Sequence, residues 1–149
     1  SEDIQVHHIK LHGALYNYAA IDAPTAEAVI EGIMATQVRS KLYVPHGSIL
    51  AKKAKDLLPL EYEAFIDRKY NDDLSLVSRT EKDAIIDSPE DAWRQLSLIL
   101  DDQIVETKQK SNIAIKASTF CIHSDTSNAV EILAYIRLKL KQLGTGLVH

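Results

Sequence analysis

The feature that most constrains this chain is the order of its periodicities, since stretches of period two are followed repeatedly by stretches of period 3.6. "IQVHHIKL" (4–11) alternates as a strand, and a loop and a helix over about Pro24 to Val38 follow it. "KLYVP" (41–45) is a second strand, with "GSILAKKAKDLL" (47–58) as its helix. "LEYEAFID" (60–67) is a third strand, after which 68–87 is polar and irregular. Ser88-Pro89-Glu90-Asp91 has the form of a capping box with proline in the first turn. It starts a helix expected to reach about Thr107, with Trp93, Leu96, Leu100 and Ile104 on one stripe. "NIAIKASTFCIH" (112–123) is a fourth strand, and a last helix aligns Ala129, Val130, Leu133, Ile136 and Leu140 before stopping at Gly144. Four β-then-α units predict an α/β fold of parallel strands joined by right-handed crossovers.

The 149 residues suffice for one domain and are too few for two ordinary ones. No linker or low-complexity tract interrupts 1–149, so a single domain is expected. Seventeen basic against 21 acidic residues give a net charge of −4, which argues against a nucleic-acid or polybasic membrane binder. No apolar run approaches the ~20 residues of a membrane span. One cysteine, Cys121, makes no disulfide framework, and a cytoplasmic protein is the plain expectation. The stretch 68–87 exceeds the ~12–15 residues beyond which a loop usually has a function.

In parallel α/β folds ligands bind at the C-terminal ends of strands. Three of the four predicted ends carry polar residues in phase: Lys10 with His12, Glu63 with Asp67 (Arg68 follows), and His123 with Asp125. Phe120 and Ile122 point the other way. Each residue also has a plain reading. Lys10 snorkels to water, His12 bonds a turn carbonyl, and Asp125 caps the last helix. Asp67-Arg68 beside Lys69 makes an exposed turn. His46 is as readily a surface residue as a ligand, His7 lies out of phase, and His149 is a terminus. Cys121 reads as a small buried hydrophobe, with no cation beside it to favour a thiolate. No HExxH or CxxC spacing occurs.

"KLHGALYN" (10–17) resembles the "KPHGALYN" signature of the LamB/YcsF lactam-utilisation family. "EAFIDRKYNDDLSLVSR" (63–79) is similar to that family's "E-x-F-A-D-R-x-Y-x-x-D-G-x-L-V-x-R", and "TFCIHSDTSNAV" (119–130) to its "T-x-C-V-H-G-D-x-P-G-A-V". The motifs stand in family order over roughly 6 to 143. The resemblance implies part of a distorted (β/α)7, TIM-like barrel, similar in shape to glycoside hydrolases and polysaccharide deacetylases. It implies the C-terminal portion of that barrel, with the family's N-terminal half absent from this chain. The family includes one of the subunits of bacterial 5-oxoprolinase. The implied activity is therefore ATP-dependent opening of 5-oxoproline, or a related lactam, to L-glutamate, with other subunits as partners. Carried over by position, the site residues are Lys10, His12, Tyr16, Asn17, Glu63, Asp67, Arg68, Tyr70, His123 and Asp125. Leu11 replaces a family proline, and Leu74 stands where glycine is usual. Ser124, Ser127 and Asn128 replace Gly, Pro and Gly, substitutions expected to crowd or reshape that turn.

A lactam is a poor electrophile, and ATP, with Mg2+, would phosphorylate its carbonyl oxygen. Lys10 and Arg68 fit the need for positive charge at phosphoryl and oxyanion groups. Asp67, or His12 oriented by a neighbour, fits a base for water, and His123 paired with Asp125 fits an acid for the ring nitrogen. No metal ligand is assigned. Tyr16, Asn17, Glu63, Arg68 and Tyr70 are substrate-binding candidates in this scheme. Two other readings are a non-catalytic half-barrel serving in binding or as a scaffold, and a metal-dependent hydrolase of the deacetylase type. Four βα units leave an open sheet, whose free face, with Val6, Val44, Phe65 and Thr119, is expected to meet water. That face predicts a homo- or hetero-oligomer. Because a polar strand end adds little to a core, neutralising Lys10 is expected to spare stability.

Overall fold

Alternation puts Leu42 and Val44 on one side of the strand 41–45 and Lys41, Tyr43 and Pro45 on the other. The computed structural model, which describes residues 5–144, builds its first layer on that division. The described chain divides into two units, one reaching to Ala64 and taking in Ala117–Thr119, the other comprising Phe65–Lys116 and the chain from Phe120 on.

The first unit holds β1 (His8–Lys10), α1 (Gly13–Ile21), α2 (Ala23–Ala35), β2 (Lys41–Pro45), α3 (Ile49–Ala54) and all but the last residue of β3 (Leu60–Phe65). The strands are parallel, with Lys10 opposite Tyr43 and Pro45 opposite Glu63. Asp22 caps α2 by accepting from the Thr25 N–H at 2.9 Å, and Ser48 caps α3 by accepting from Ala51 at 3.0 Å. Leu42 and Val44 are enclosed among Ile30 and Ile33 of α2 and Leu50, Ala51 and Ala54 of α3. Each such side chain contributes ~1.5–3 kcal/mol on burial. A one-residue slip would drive Lys41 and Tyr43 into that core, so the register is fixed.

The opposite face is polar. His8 stacks on Tyr43 at 4.1 Å, Lys41 pairs with Glu61 at 2.6 Å, and the Ser118 hydroxyl donates to Glu61. This corrects the expectation of an apolar free face. Val44 packs toward the helices and Phe65 is buried, while Thr119 is half-buried and Val6 alone of the four is exposed. Helix α1 falls where a loop was expected. Its nine residues carry no side-chain cap and no charge, and they leave Leu15, Tyr18 and Ile21 exposed, so periodicity gave no signal. Gly13, at φ +58°, makes the left-handed step from β1 into it.

In the second unit the stretch 66–88 is ordered by its own backbone. Ile86 N–H donates to the Asp67 carbonyl at 2.9 Å, Lys69 N–H to Ala84 at 3.0 Å, and Val77 N–H to Lys69 at 2.9 Å. Ser88 caps α4 (Pro89–Ser97) by accepting from Asp91 N–H at 3.3 Å. The helix does not reach Thr107. It passes into a π-helical turn (Leu98–Asp102) and a left-handed Gln103. Then β4 (Ile104–Glu106) pairs antiparallel with β5 (Asn112–Ala114). Leu100 is therefore exposed and Ile104 lies in a strand, since the β-branched pair Ile104-Val105 favours extended backbone over a continued helix.

The predicted fourth strand is split accordingly, into β5 and β6 (Thr119–Cys121). Ser118 N–H donates to the Tyr62 carbonyl at 2.9 Å in the first unit, and Ile66 N–H to Cys121 at 3.1 Å in the second, which makes β6 parallel to β3 and the strand order β1-β2-β3-β6. Phe120 and Ile122 pack, as their phase predicts, on a core of Ile66, Ile86, Leu96 and three residues of α5 (Ala129–Gln142). Those three are Ile132, Ile136 and Leu140, an unbroken i, i+4, i+8 row. Val130 and Leu133, expected on the buried face, are exposed. Ile4 and His149 lie outside the described residues. The architecture is α/β with parallel βα units.

Candidate functional site

Asp67 lies two residues past the end of β3, in the second unit, and is fully enclosed. Gln95 of α4 clamps this segment, its Nε2 donating to the carbonyls of Phe65 at 2.7 Å and Arg68 at 2.9 Å. The Asp67 carboxylate meets the His123 Nδ1 at 2.9 and 3.1 Å, and accepts from the His123 backbone N–H at 2.7 Å and the Thr126 hydroxyl at 2.8 Å. Burial alone would push its pKa up, but the donors of His123 and Thr126 outweigh that and hold it below the ordinary carboxylate value. Phe65 stacks on the His123 ring at 5.0 Å and 10°. With Nδ1–H given to the carboxylate, a neutral His123 keeps its lone pair on Nε2, which has no hydrogen-bond partner among the described residues. This is the orientation of a general base.

His123 is thus partnered by Asp67 and not, as expected, by Asp125. Asp125 forms a two-pronged pair with Arg79, through Nη1 and, at 3.3 Å, through Nη2. It does not cap the last helix either, since the residue before α5 is Asn128. Arg68, for which an exposed turn was the plain alternative to a site role, is buried, with Nη2 donating to the Val77 carbonyl at 2.5 Å. Burial first, and then the charge of Arg79, lowers its pKa. Tyr70 is also buried, its hydroxyl accepting from Phe65 N–H at 2.7 Å.

In the first unit, Lys10 and Glu63 meet at 2.6 Å. Glu63 is only 3% exposed, and its Oε2 has no hydrogen-bond donor among the described residues. His12, at the start of α1, and Asn17 are exposed, while Tyr16 is buried. His46 is half-buried, edge-on to Tyr62 at 5.4 Å. Cys121 is half-buried and His7 exposed.

Two contributors escaped the sequence reading. Arg79 ends the second quoted motif and was there to be found; Thr126 occupies an unspecified position in the third. The turn there, closed by Thr126 N–H to the His123 carbonyl at 3.2 Å, puts none of Ser124, Ser127 or Asn128 at positive φ. The lost glycines therefore impose no backbone strain. Leu74, in contrast, takes the left-handed φ of +65° that glycine favours. Among the described residues no group of three or more His, Cys, Asp or Glu is placed to hold a metal ion, and no helix is long and apolar enough to cross a membrane.

The LamB/YcsF family matches residues 1–149. The chain is 36% identical over 149 residues to the 5-oxoprolinase A subunit of Staphylococcus saprophyticus, covering 99% of this chain and 59% of that protein. It is 37% identical over 149 residues to the 5-oxoprolinase A subunit of Thermococcus onnurineus, covering 99% and 58%. The crystal structure of the lactam utilization protein from Thermus thermophilus superposes with a TM-score of 0.86 at 32% identity, over 98% of this chain and 58% of that one, consistent with a TIM-like fold. The chain thus spans less than two thirds of these relatives' length. On its three motifs, its parallel strands and this match over all 149 residues, the chain belongs to the LamB/YcsF family.

Proposed function

We propose that the protein serves 5-oxoproline utilisation as part of an ATP-dependent 5-oxoprolinase, opening the lactam ring to L-glutamate together with other subunits. The observation that carries this reading is the enclosed Asp67, whose Oδ2 is met by the His123 backbone N–H and the Thr126 hydroxyl, holding His123 by Nδ1. His123 Nε2 takes a proton from water as the water oxygen adds to the ring carbonyl carbon. Asp67 stabilises the imidazolium, which returns the proton to the ring nitrogen as the C–N bond breaks. ATP would supply the phosphoryl group that, placed on the lactam oxygen, makes the ring carbon attackable; C–N cleavage leaves that group on the new carboxyl, and a second water would release it as phosphate to give glutamate. The donor set suits such a group, because Arg68 is a buried guanidinium whose Nε has no acceptor among the described residues. Mg2+ in this reading arrives bound to ATP. Lys10 is proposed, separately, as a residue required for turnover.

The test is glutamate formation and ATP hydrolysis by the full-length protein with its partner subunits, with and without Asp67→Asn. Asp67→Asn should reduce turnover by about 10²–10⁴-fold. A complete complex that binds 5-oxoproline without turning it over would favour the scaffold reading. Metal-dependent turnover without ATP would favour a deacetylase-type hydrolase.

A further inference from the structure

We propose that Arg68 and Arg79 form a binding site for a small oxyanion, a carboxylate or a phosphate, which Asp125 fills from within the chain when no anion is bound. Only the identity of the anion in the cell rests on the ring-opening reading above.

A buried guanidinium is retained where its N–H groups and its charge are met. At Arg68, 6% exposed, they are met in part. Nη2 donates to Val77, Nε is enclosed without an acceptor, and no carboxylate forms an ion pair with it among the described residues. Its neighbour in sequence, Asp67, is engaged by donors from His123 and Thr126. A second cation, Arg79, stands at the other end of the same closed loop, and its charge adds to burial in lowering the Arg68 pKa. The loop fixes this spacing. Val77 N–H donates to the Lys69 carbonyl and Tyr70 bridges to Leu76, so the two arginines leave opposite ends of a closed turn.

Asp125 shows what the site accepts. Its two oxygens meet Nη1 and Nη2 of Arg79 in the fork geometry that a free carboxylate or phosphate would adopt. Yet the pair is exposed, 64% at Asp125 and 41% at Arg79, so it contributes little and exchanges readily. A ligand bridging both arginines would make with Arg68 the direct contact that Asp125, which acts on it only through its charge, does not make.

The test is calorimetric titration of the full-length protein with inorganic phosphate and, separately, with 5-oxoproline. Asp125→Asn removes the internal competitor and should tighten binding of the preferred anion by about two- to fivefold. Arg79→Gln should weaken it by about tenfold or more, with Arg79→Lys between them because a point charge lacks the fork. An effect confined to phosphate makes the site one for a phosphoryl group; one confined to 5-oxoproline makes it the seat of the substrate carboxylate. No binding of either anion, or binding unchanged in both Asp125→Asn and Arg79→Lys, overturns the proposal. Binding that follows these variants while turnover is absent would sink the ring-opening reading and leave this site standing.

Discussion

Glu63 and Asp67 stand four residues apart in the chain, both buried, and their oxygens are treated differently. In the first unit Glu63 has one oxygen on Lys10 and the other without a donor among the described residues. In the second, Asp67 is met by the ring and backbone of His123 and by Thr126. A carboxylate met by three donors is an anchor: it fixes its partner and its ionised form is favoured. A half-met one has a single cation as its partner. The two should respond to substitution in opposite ways, one mainly in chemistry and the other mainly in stability.

The largest expected effect is on chemistry. Asp67→Asn keeps the shape of the carboxylate but cannot accept at both oxygens, so His123 should lose its tautomer and turnover should fall far more than the melting temperature. A variant that melts much lower yet turns over normally per folded molecule would reverse the assignment.

Next comes Lys10→Met. It would strand the Glu63 charge in a buried position and cost about 3–5 kcal/mol, contrary to the expectation that a polar strand end spares stability. Denaturant unfolding measures it, and adding Glu63→Gln should recover most of the loss. In contrast, His12→Ala, at an exposed helix start, should stay within ~0.5 kcal/mol of the parent.

A smaller effect lies in the pH dependence of folding. Asp67 has a folded pKa below its ordinary 3.8, so its stabilising contribution is complete above that value. It is lost as pH falls below 3.8 toward the folded value. The acid limb of the melting curve should therefore be shallower in Asp67→Asn than in the parent. Equal limbs would mean the donors around Asp67 do not favour its ionised form.

The smallest effect concerns the loop that presents Arg68 and Arg79. Leu74→Gly relieves a left-handed leucine and should gain up to about 1 kcal/mol in unfolding measurements. A net loss would show that packing of the half-buried Leu74 side chain outweighs its backbone strain.

Much of this arrangement was legible in the sequence. The strand 41–45 stands as read, because its alternation is strict and a slip would bury Lys41. The residue types at the strand ends were legible as well. Their partners were not, since phase within one strand says nothing of what a loop brings up beside it. Asp125 looked like the companion of His123 because the two alternate, yet the backbone turns between them and Arg79 takes the carboxylate. The face of α5 was misread for a similar reason: Leu133 and Ile132 differ by one position, and packing chose the i+4 row. The helix expected to reach Thr107 had the right spacing for two turns, and local extended preference then ended it.

The separation in sequence of the bonded groups has a kinetic meaning. Lys10 and Glu63 lie 53 residues apart, and Asp67 and His123 lie 56 apart. Neither pair exists until a loop of that length has closed, and such closures carry an entropic cost that local turns avoid. A helix such as α2 or α5 gains its contacts early and cheaply, whereas these two pairs arrive only with the finished topology. A nascent or partly unfolded chain in which Asp67 and His123 have not yet met therefore carries no histidine oriented by this carboxylate.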